Sequence, residues 1–414
     1  MLPIFAPNRN RKIRYNLSKC HKQVWSNHSF IMPDSGNGII QENNNSMKPK
    51  GPFRADHVGS LLRPAVLKQA RKDHAGGAID DAELRAIEDS CIRELVKQQE
   101  AAGLHSVTDG EIRRAYWHFD FLAELDGVEL IRGEKSIQFH GVKTKSDSIA
   151  VTGKVGFPEH HPMLEDFRFL RSLTGVTPKF TIPSPAVLHF RGGRKYISKE
   201  VYPDLETFFN DTAEAYADAI RAFYAAGCRY LQLDDTVWAY LCSETEKQAA
   251  RERGDDPDGL VEIYSHMINT ALRAKPSDMV ITTHVCRGNF MSSWISEGGY
   301  DPVAKTLLRG TGFDAYFLEY DSDRAGGFEP LRFLPEGDKK VVLGLITSKT
   351  GELENPDLIK RRIEEACKYA NLDQFCLSPQ CGFASTEEGN LISEEQQWEK
   401  LRLVVEIAGE IWKN

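Results

Sequence analysis

The sequence predicts an α/β fold, a (β/α)8 TIM barrel with an inserted β-hairpin. Short strand-like segments alternate with helical segments from residue 53 onward, and strict alternation implies parallel strands with helical crossovers. The length of 414 residues suits one large barrel. Polar side chains follow the predicted strand ends, where this fold places its chemistry. An open doubly wound sheet is the alternative, but no glycine-rich phosphate turn follows the first predicted strand.

Eight strands are predicted from short segments rich in apolar and β-branched residues. Their ranges are 53–58, 106–109, 178–183, 228–235, 279–284, 314–320, 340–347 and 374–378. Residues 120–160 are less regular. Alternating pieces at 138–142 and 149–155 predict the inserted hairpin at one end of the barrel.

Helical segments connect these strands. The predicted ranges are 64–76, 79–102, 203–226, 257–273, 356–370 and 393–412. Asp80 and Asp81 place acidic side chains near the start of the second helix, and Gly103 ends it. The connections at 291–310 and 327–335 are less regular.

Composition argues against several classes of partner. The net charge of -8 disfavours a nucleic-acid surface, which needs a basic face. Apolar runs such as 341–346 are far shorter than the roughly 20 residues of a membrane span. The eight cysteines show no pattern of a small secreted domain, so we expect reduced thiols and a cytoplasmic protein.

The first 46 residues differ from the rest. Residues 1–32 contain six Lys or Arg and no Asp or Glu, which is typical of an organelle transit peptide. An unstructured extension upstream of a start at Met47 is the alternative. We therefore predict an extension over residues 1–46 and a single barrel domain over residues 47–414.

A metal site is predicted from His284-Val-Cys286 and the remote Cys381. Side chains at i and i+2 of a strand share a face, so His284 and Cys286 can bind one ion together. Structural zinc sites usually have tight paired spacings, and this chain has none. One local pair with a remote ligand favours a catalytic metal. The alternative is that the cysteines are small buried apolar residues.

The candidate residues share a position at strand ends. They are Ser60, Glu111, Asp234, Asp235, His284, Cys286, Glu319, Lys349 and Cys381. In a (β/α)8 barrel the carboxyl ends of the strands meet on one face. We therefore expect these side chains to lie together on that face.

The chemistry of such a shell favours thiol activation. Two thiolates, an imidazole and a carboxylate leave zinc little Lewis acidity for making hydroxide, but suit it to hold an incoming thiol as a thiolate. Glu319 suits a weak oxygen ligand, with a salt-bridged carboxylate as the alternative. Asp234 or Glu111 could bind an amino group, and Ser60 with the amides around Gly59 a carboxylate. Helix capping is the alternative for the acids after residue 233.

At these residues the chain resembles the catalytic domain of cobalamin-independent methionine synthase, within the barrel superfamily shared with uroporphyrinogen decarboxylase. The similarity runs from about Phe53 to the C-terminus. It comprises Gly59-Ser60, Asp109-Gly-Glu111, Gln232-Leu-Asp234, His284-Val-Cys286, Glu319, Gly344 and Pro379-Gln-Cys381-Gly382. The resemblance implies zinc on His284, Cys286, Glu319 and Cys381. It also implies homocysteine held by Ser60, Glu111 and Asp234.

The chain also departs from the family pattern. Asp235-Thr-Val stands where the family has Glu-Pro-Ala, and residues 345–350 lack the family's catalytic histidine. Residues 183–188 contain no counterpart of the tryptophan that stacks on folate, and there is no room for the duplicated N-terminal barrel of full-length members. Lys349 could orient an anionic donor or acceptor group. The aromatic run 116–119 suits either a pocket wall or the core.

We therefore expect a zinc-dependent S-methyltransferase that activates a homocysteine-like thiol. Its partners would be this small thiol and a methyl donor, folate or another, and the oligomeric state stays open. Another thiol and electrophile, such as coenzyme M and an epoxide, is one alternative. A metal-free decarboxylase of the uroporphyrinogen type and a non-catalytic zinc-binding protein are the others.

Overall fold

The computed structural model describes residues 51–132, 138–139, 142–143 and 147–413. Its strands are β1 (Ser106–Val107), β2 (Asp126–Arg132), β3 (Gln138–Phe139), β4 (Val142–Lys143), β5 (Asp147–Gly156), β6 (Thr177–Pro183), β7 (Tyr230–Asp235), β8 (Val280–Val285), β9 (Ala315–Glu319), β10 (Lys340–Ile346) and β11 (Phe375–Pro379). Seven of them form one parallel sheet in the order β1-β6-β7-β8-β9-β10-β11. The sheet follows chain order and curls, which confirms the predicted TIM-barrel fold class.

Residues 53–58 do not form the regular first strand that the sequence predicts. This segment lies beside β11, where Ala55 makes a single parallel bridge to Leu377. The next residues run beside the segment that follows β1, since Leu61 N donates to Gly110 O at 3.0 Å. Side chains of the barrel interior take the place of a strand ladder: Gln232 donates to Val58 O and Lys179 to His57 O. The segment therefore occupies the seam between β11 and β1 without forming a full strand.

The inserted hairpin has other boundaries than predicted. β5 pairs antiparallel with β2, whereas the predicted piece at 138–142 contributes only to the small β3–β4 pair. Val128 on β2 and Ile149 and Val151 on β5 are buried, while Leu130 is exposed. The charged sequence of β2, with Gly127 in it, carries a weak strand signal, which explains why it was missed.

Helices precede, connect and follow the strands along the chain. They are α1 (Ala65–Ala75), α2 (Asp81–Ala101), α3 (Phe119–Leu122), α4 (Pro162–Leu173), α5 (Ala186–Phe190), α6 (Leu205–Ala225), α7 (Val237–Tyr240), α8 (Glu244–Glu252), α9 (Pro257–Leu272), α10 (Asp301–Ala304), α11 (Pro356–Ala366) and α12 (Glu394–Trp412). All six predicted helices are present, and α4 and several short helices were missed. None of the helices in the described ranges is long and apolar enough to cross a bilayer. The predicted boundary at residue 46 lies outside the described residues and stays a prediction.

A buried ion pair fills the barrel interior near the start of its strands. Lys179 Nζ lies 3.3 Å from Asp56 Oδ1, and both side chains are fully buried. Tyr230 OH donates to Asp56 Oδ2 at 2.8 Å. These groups lie at the amino-terminal side of β6 and β7. The candidate site lies at the opposite, carboxyl ends of the strands.

Gly344 on β10 packs so closely against neighbouring backbone that there is no space for a side chain at this position. An added Cβ would lie 2.7 Å from Gln380 Cα and 2.9 Å from Leu318 O. We expect Gly344→Ala to lower the free energy of unfolding by about 1–3 kcal/mol, as overpacking typically does. Urea denaturation measures the change.

Gly409 on α12 is the matched control, because an added Cβ there has no neighbour within 4 Å. Gly409→Ala should raise the free energy of unfolding by roughly 0.5–1 kcal/mol, since alanine is the better helix former. Equal effects of the two substitutions would contradict the proposed close approach at Gly344.

Candidate metal centre

Four predicted ligands meet at the carboxyl ends of the strands. One ligand atom from each residue lies within 4.8 Å of the others, and all four residues are buried. His284 lies on β8 and Cys286 just after it, Glu319 ends β9, and Cys381 follows β11. Parallel strands bring these ends to one edge, so residues 95 positions apart become neighbours.

The geometry of the four donors suits a metal ion. Cys286 Sγ and Cys381 Sγ are 3.6 Å apart, close to the roughly 3.8 Å that a tetrahedral site with metal–sulfur bonds of about 2.3 Å would require. Glu319 Oε1 accepts from Arg287 N at 2.8 Å, but Oε2 is buried and has no hydrogen-bond partner in the part of the chain that the structure describes. A buried, unpaired carboxylate oxygen is costly. The cluster could therefore hold a metal ion.

Burial and neighbouring groups shift the pKa values of the cluster residues. The hydrogen bond between the two thiols lowers the pKa of Cys381 and raises the pKa of Cys286. Burial lowers the pKa of His284, but Asp234 and Cys381 outweigh it and raise the pKa to about 10. Burial, with Cys381, raises the pKa of Glu319 to about 7. Asp234 and Cys381 thus favour positive charge at His284, and such neighbours also suit a bound cation.

Asp234 lies next to a predicted metal ligand. Its Oδ1 is 3.6 Å from His284 Nδ1 and accepts from Gln232 Nε2 at 2.7 Å. The register between β7 and β8 pairs Asp234 with His284, which explains the contact. A carboxylate beside a ligating histidine orients the ring and fixes its tautomer. The neighbouring Asp235 instead accepts from Val237 N at 2.7 Å and caps the following turn.

A cavity of about 40 Å³ adjoins the cluster. On one side it is lined by Ser60, Glu111 and Asp234, the predicted substrate residues. Glu111 has a φ of 56°, a strained value for a residue other than glycine. Such strain is retained where the surrounding structure holds it for a function.

Glu111 is held in place by hydrogen bonding and charge. Its Oε1 accepts from Thr181 Oγ1 at 2.7 Å, and Oε2 lies 3.4 Å from Arg114 Nη1. Burial raises the pKa of Glu111 to about 7, with Arg114 opposing and Asp234 adding to the rise. Arg113 pairs with Asp89 instead.

Two glycines allow the backbone to approach Ser60 and Glu111. At Gly382 an added Cβ would lie 1.9 Å from Ser60 Oγ. Gly59 has a φ of 145°, and its Cβ would lie 2.9 Å from Thr181 Cγ2. Ser60 Oγ accepts from Ala384 N at 3.3 Å. Among the described residues no acceptor takes the hydroxyl proton of Ser60, which can therefore be donated to a ligand.

Lys349 lies beside the centre and does not line the cavity. Its amine donates to Gly288 O, Asn289 Oδ1 and Ser293 O, each at 3.2 Å. The amine of Lys349 therefore stabilises the loop that follows Cys286.

Further residues line the cavity. Tyr116, Trp117 and His118 do so, as one interpretation of the aromatic run allowed. Arg191, Tyr240 and other lining residues were missed. The position of Arg191 shortly after β6 was the available signal, since residues after strands reach this face.

The chain is similar to known proteins of one family. The model of the family "Cobalamin-independent synthase, Catalytic domain" matches residues 53–410. The uncharacterized protein YxjG of Bacillus subtilis is 54% identical over 373 residues, covering 90% of this chain and 98% of that protein. A Listeria monocytogenes structure, provisionally assigned as a vitamin-B12-independent methionine synthase, has 47% identity and a TM-score of 0.72. The alignment covers 88% of this chain and 99% of that one.

A more distant structure shows the fold alone. It is a B12-independent methionine synthase from Shewanella sp. W3-18-1 in complex with selenomethionine, with 19% identity and a TM-score of 0.63, covering 86% of this chain and 97% of that one. The family and its members support a methyltransferase-like enzyme that works without cobalamin. The chain belongs to the family of the cobalamin-independent synthase catalytic domain.

Proposed function

We propose that the protein is a zinc-dependent S-methyltransferase that methylates a small amino-acid thiol such as homocysteine. The observation that carries this proposal is the buried cluster of His284, Cys286, Glu319 and Cys381 beside a cavity lined by acids. The provisional assignment of the Listeria relative agrees with it.

The four clustered residues would hold the zinc ion. Bound there, zinc would supply a Lewis acid that lowers the pKa of an incoming thiol, so that the substrate reacts as a thiolate. Glu319 keeps its hydrogen bond from Arg287 N through Oε1, whether or not Oε2 is engaged. Asp234 holds the imidazole of His284 in orientation.

The cavity residues would bind the amino-acid part of the substrate. Glu111 and Asp234 place two carboxylates on the same cavity, where they suit an ammonium group. The free hydroxyl proton of Ser60 suits the substrate carboxylate. This arrangement favours an amino-acid thiol over a sulfonate thiol such as coenzyme M.

The transfer step forms one bond and breaks another. The thiol first loses its proton to water, and a sulfur lone pair then forms the new bond to the methyl carbon. The bond from that carbon to the donor breaks, and its electron pair stays on the donor, which takes up a proton from water where it leaves as an anion. The side chains around the cavity contribute by holding both reactants in line.

The proposal is tested by mass-spectrometric detection of methionine. Zinc-loaded protein is incubated with homocysteine and either 5-methyltetrahydrofolate or S-methylmethionine, and chelator-treated protein is the control. Methionine should form only with the zinc-loaded protein. Turnover of coenzyme M with an epoxide, but not of homocysteine, would overturn the assignment of the thiol, and equal turnover without zinc would overturn the role of the metal.

Glu111 should couple amino-acid binding to proton release. Its pKa near 7 lies above the ordinary value of 4.5, so the folded protein binds this proton more tightly than the unfolded chain, and stability falls as the pH rises between these values. An ammonium group needs the ionised form. Binding of methionine at pH 6.5 should therefore release up to about one proton per site.

Calorimetry in buffers of different ionisation enthalpy measures this release. Methionine is the suitable ligand because it has no thiol proton of its own to lose. Glu111→Gln should abolish the release and weaken binding, whereas Glu124→Gln, at an exposed position, should change neither. Undiminished release in Glu111→Gln would show that another group carries the proton.

A further inference from the structure

The cavity has a second group of lining residues that the thiol chemistry does not use. Trp117, His118, Arg191 and Tyr240 line the same cavity as Cys286 and Cys381. We call these four residues the aromatic–arginine wall. Three of them (His118, Arg191 and Tyr240) carry a buried polar atom that has no hydrogen-bond partner among the described residues.

Arg191 is a cation without a matching anion. It follows α5, its Nε is buried without a hydrogen-bond partner, and its guanidinium carbon lies 5.8 Å from the ring centroid of Tyr240. Burial raises the pKa of Glu246, and the charge of Arg191 acts to lower it. However, Arg191 forms no ion pair of 4.0 Å or less among the described residues. A guanidinium in a cavity, with nitrogens to spare, is suited to bind an oxyanion in bidentate geometry.

His118 is the second unsatisfied group. Its side chain is 1% exposed, and neither buried ring nitrogen has a hydrogen-bond partner within the described ranges. The ring is fixed by aromatic packing, with centroid distances of 4.5 Å to Trp117 and 3.9 Å to Phe119. Burial, reinforced by Arg191, lowers the pKa of His118. The neutral ring therefore offers one donor and one acceptor to a ligand in the cavity.

We propose that the aromatic–arginine wall binds the methyl donor, and that Arg191 selects a donor carrying an oxyanion. This proposal rests on the proposed function, which supplies the thiol acceptor at the other side of the cavity. Trp117 and Tyr240 pack against the body of the donor, and His118 exchanges hydrogen bonds with a polar group next to it. A donor with only positive charge is disfavoured, because the unpaired guanidinium repels it.

Binding of carboxylate donors and of their esters to the zinc-loaded protein tests the selection. The probes are 5-methyltetrahydrofolate and S-methylmethionine, each as the acid and as the carboxylate ester, with Kd measured by calorimetry. Arg191→Leu should weaken binding of the acid by about 10- to 100-fold, the typical worth of a hydrogen bond to a charged group. Binding of the ester should stay unchanged. Comparing the change in Kd for the acid with the change for the ester gives a thermodynamic cycle that isolates the interaction of Arg191 with the carboxylate.

Three further variants complete the design. Arg191→Lys should recover part of the affinity, and His118→Phe, which keeps the ring packing, should weaken binding of both acid and ester. Arg221→Leu is the control, since Arg221 is exposed and paired with Asp218, and it should bind like the wild type. Binding of only one of the two acids would support the proposal and identify the source of the oxyanion.

Equal losses for acid and ester in Arg191→Leu would overturn the selection by charge, and so would failure of both acids to bind the wild-type protein. The KM for homocysteine should stay unchanged in Arg191→Leu, which separates this proposal from the proposed function. A fall in homocysteine affinity by the same factor would show that Arg191 supports the whole site and would also overturn the proposal.

Discussion

Replacing Cys286 or Cys381 by serine is expected to remove zinc from the purified protein and to lower kcat/KM by about 10³-fold or more. Each cysteine would supply a thiolate ligand to the proposed zinc ion, whereas a serine hydroxyl does not ionise at neutral pH. A metal that stabilises charge in the transition state contributes several kcal/mol, which corresponds to about this factor. Elemental analysis and the methionine assay measure the two effects.

Cys367→Ser is the matched control for these variants. Cys367 is a half-exposed cysteine at the end of α11, outside the cluster, so its replacement should leave the zinc content and the activity unchanged. Full zinc occupancy in both Cys286→Ser and Cys381→Ser would contradict the proposed ligand set.

Asp234→Asn is expected to have the second-largest effect. The carboxylate lies against His284 Nδ1 and also lines the cavity. Losing its charge should lower the zinc affinity by about 10- to 100-fold, which is the typical effect of replacing a residue that contacts a metal-ligating histidine. It should also raise the KM for homocysteine, because one of the two carboxylates facing the ammonium is lost.

Chelator competition measures the zinc affinity, and Asp235→Asn is the control. Asp235 caps Val237 N through one oxygen, and asparagine can keep that contact. Asp235→Asn should therefore bind zinc like the wild type. Equal losses of zinc affinity in the two variants would show a general disturbance of β7 and not a specific contact with His284.

The clustering of the four candidate ligands could be predicted from the sequence because it depends on strand periodicity and on the positions of strand ends. His284 and Cys286 are two positions apart, and Glu319 and Cys381 stand at or just after predicted strands. In a parallel barrel these positions meet whatever the details of the helices. The contact of Asp234 with His284 could not be predicted, since it depends on the exact register of β7 and β8.

Residues outside regular strands were harder to place. Lys349 also follows a strand, but its amine is taken up by the loop after Cys286, which strand position alone does not indicate. Arg191 reaches the cavity through the short helix α5, whose five residues carry no clear periodic signal. The segment at 53–58 is irregular because side chains such as Gln232 donate hydrogen bonds to its backbone. These contacts join residues far apart in sequence, so local sequence patterns do not predict them.

Zinc X-ray absorption with and without homocysteine tests the central claim most directly. The account predicts two sulfur neighbours in the zinc-loaded protein and a third when homocysteine is added, because the substrate sulfur joins Cys286 and Cys381. A sulfur count that stays at two at saturating homocysteine would contradict thiol activation and leave the metal with a structural role only.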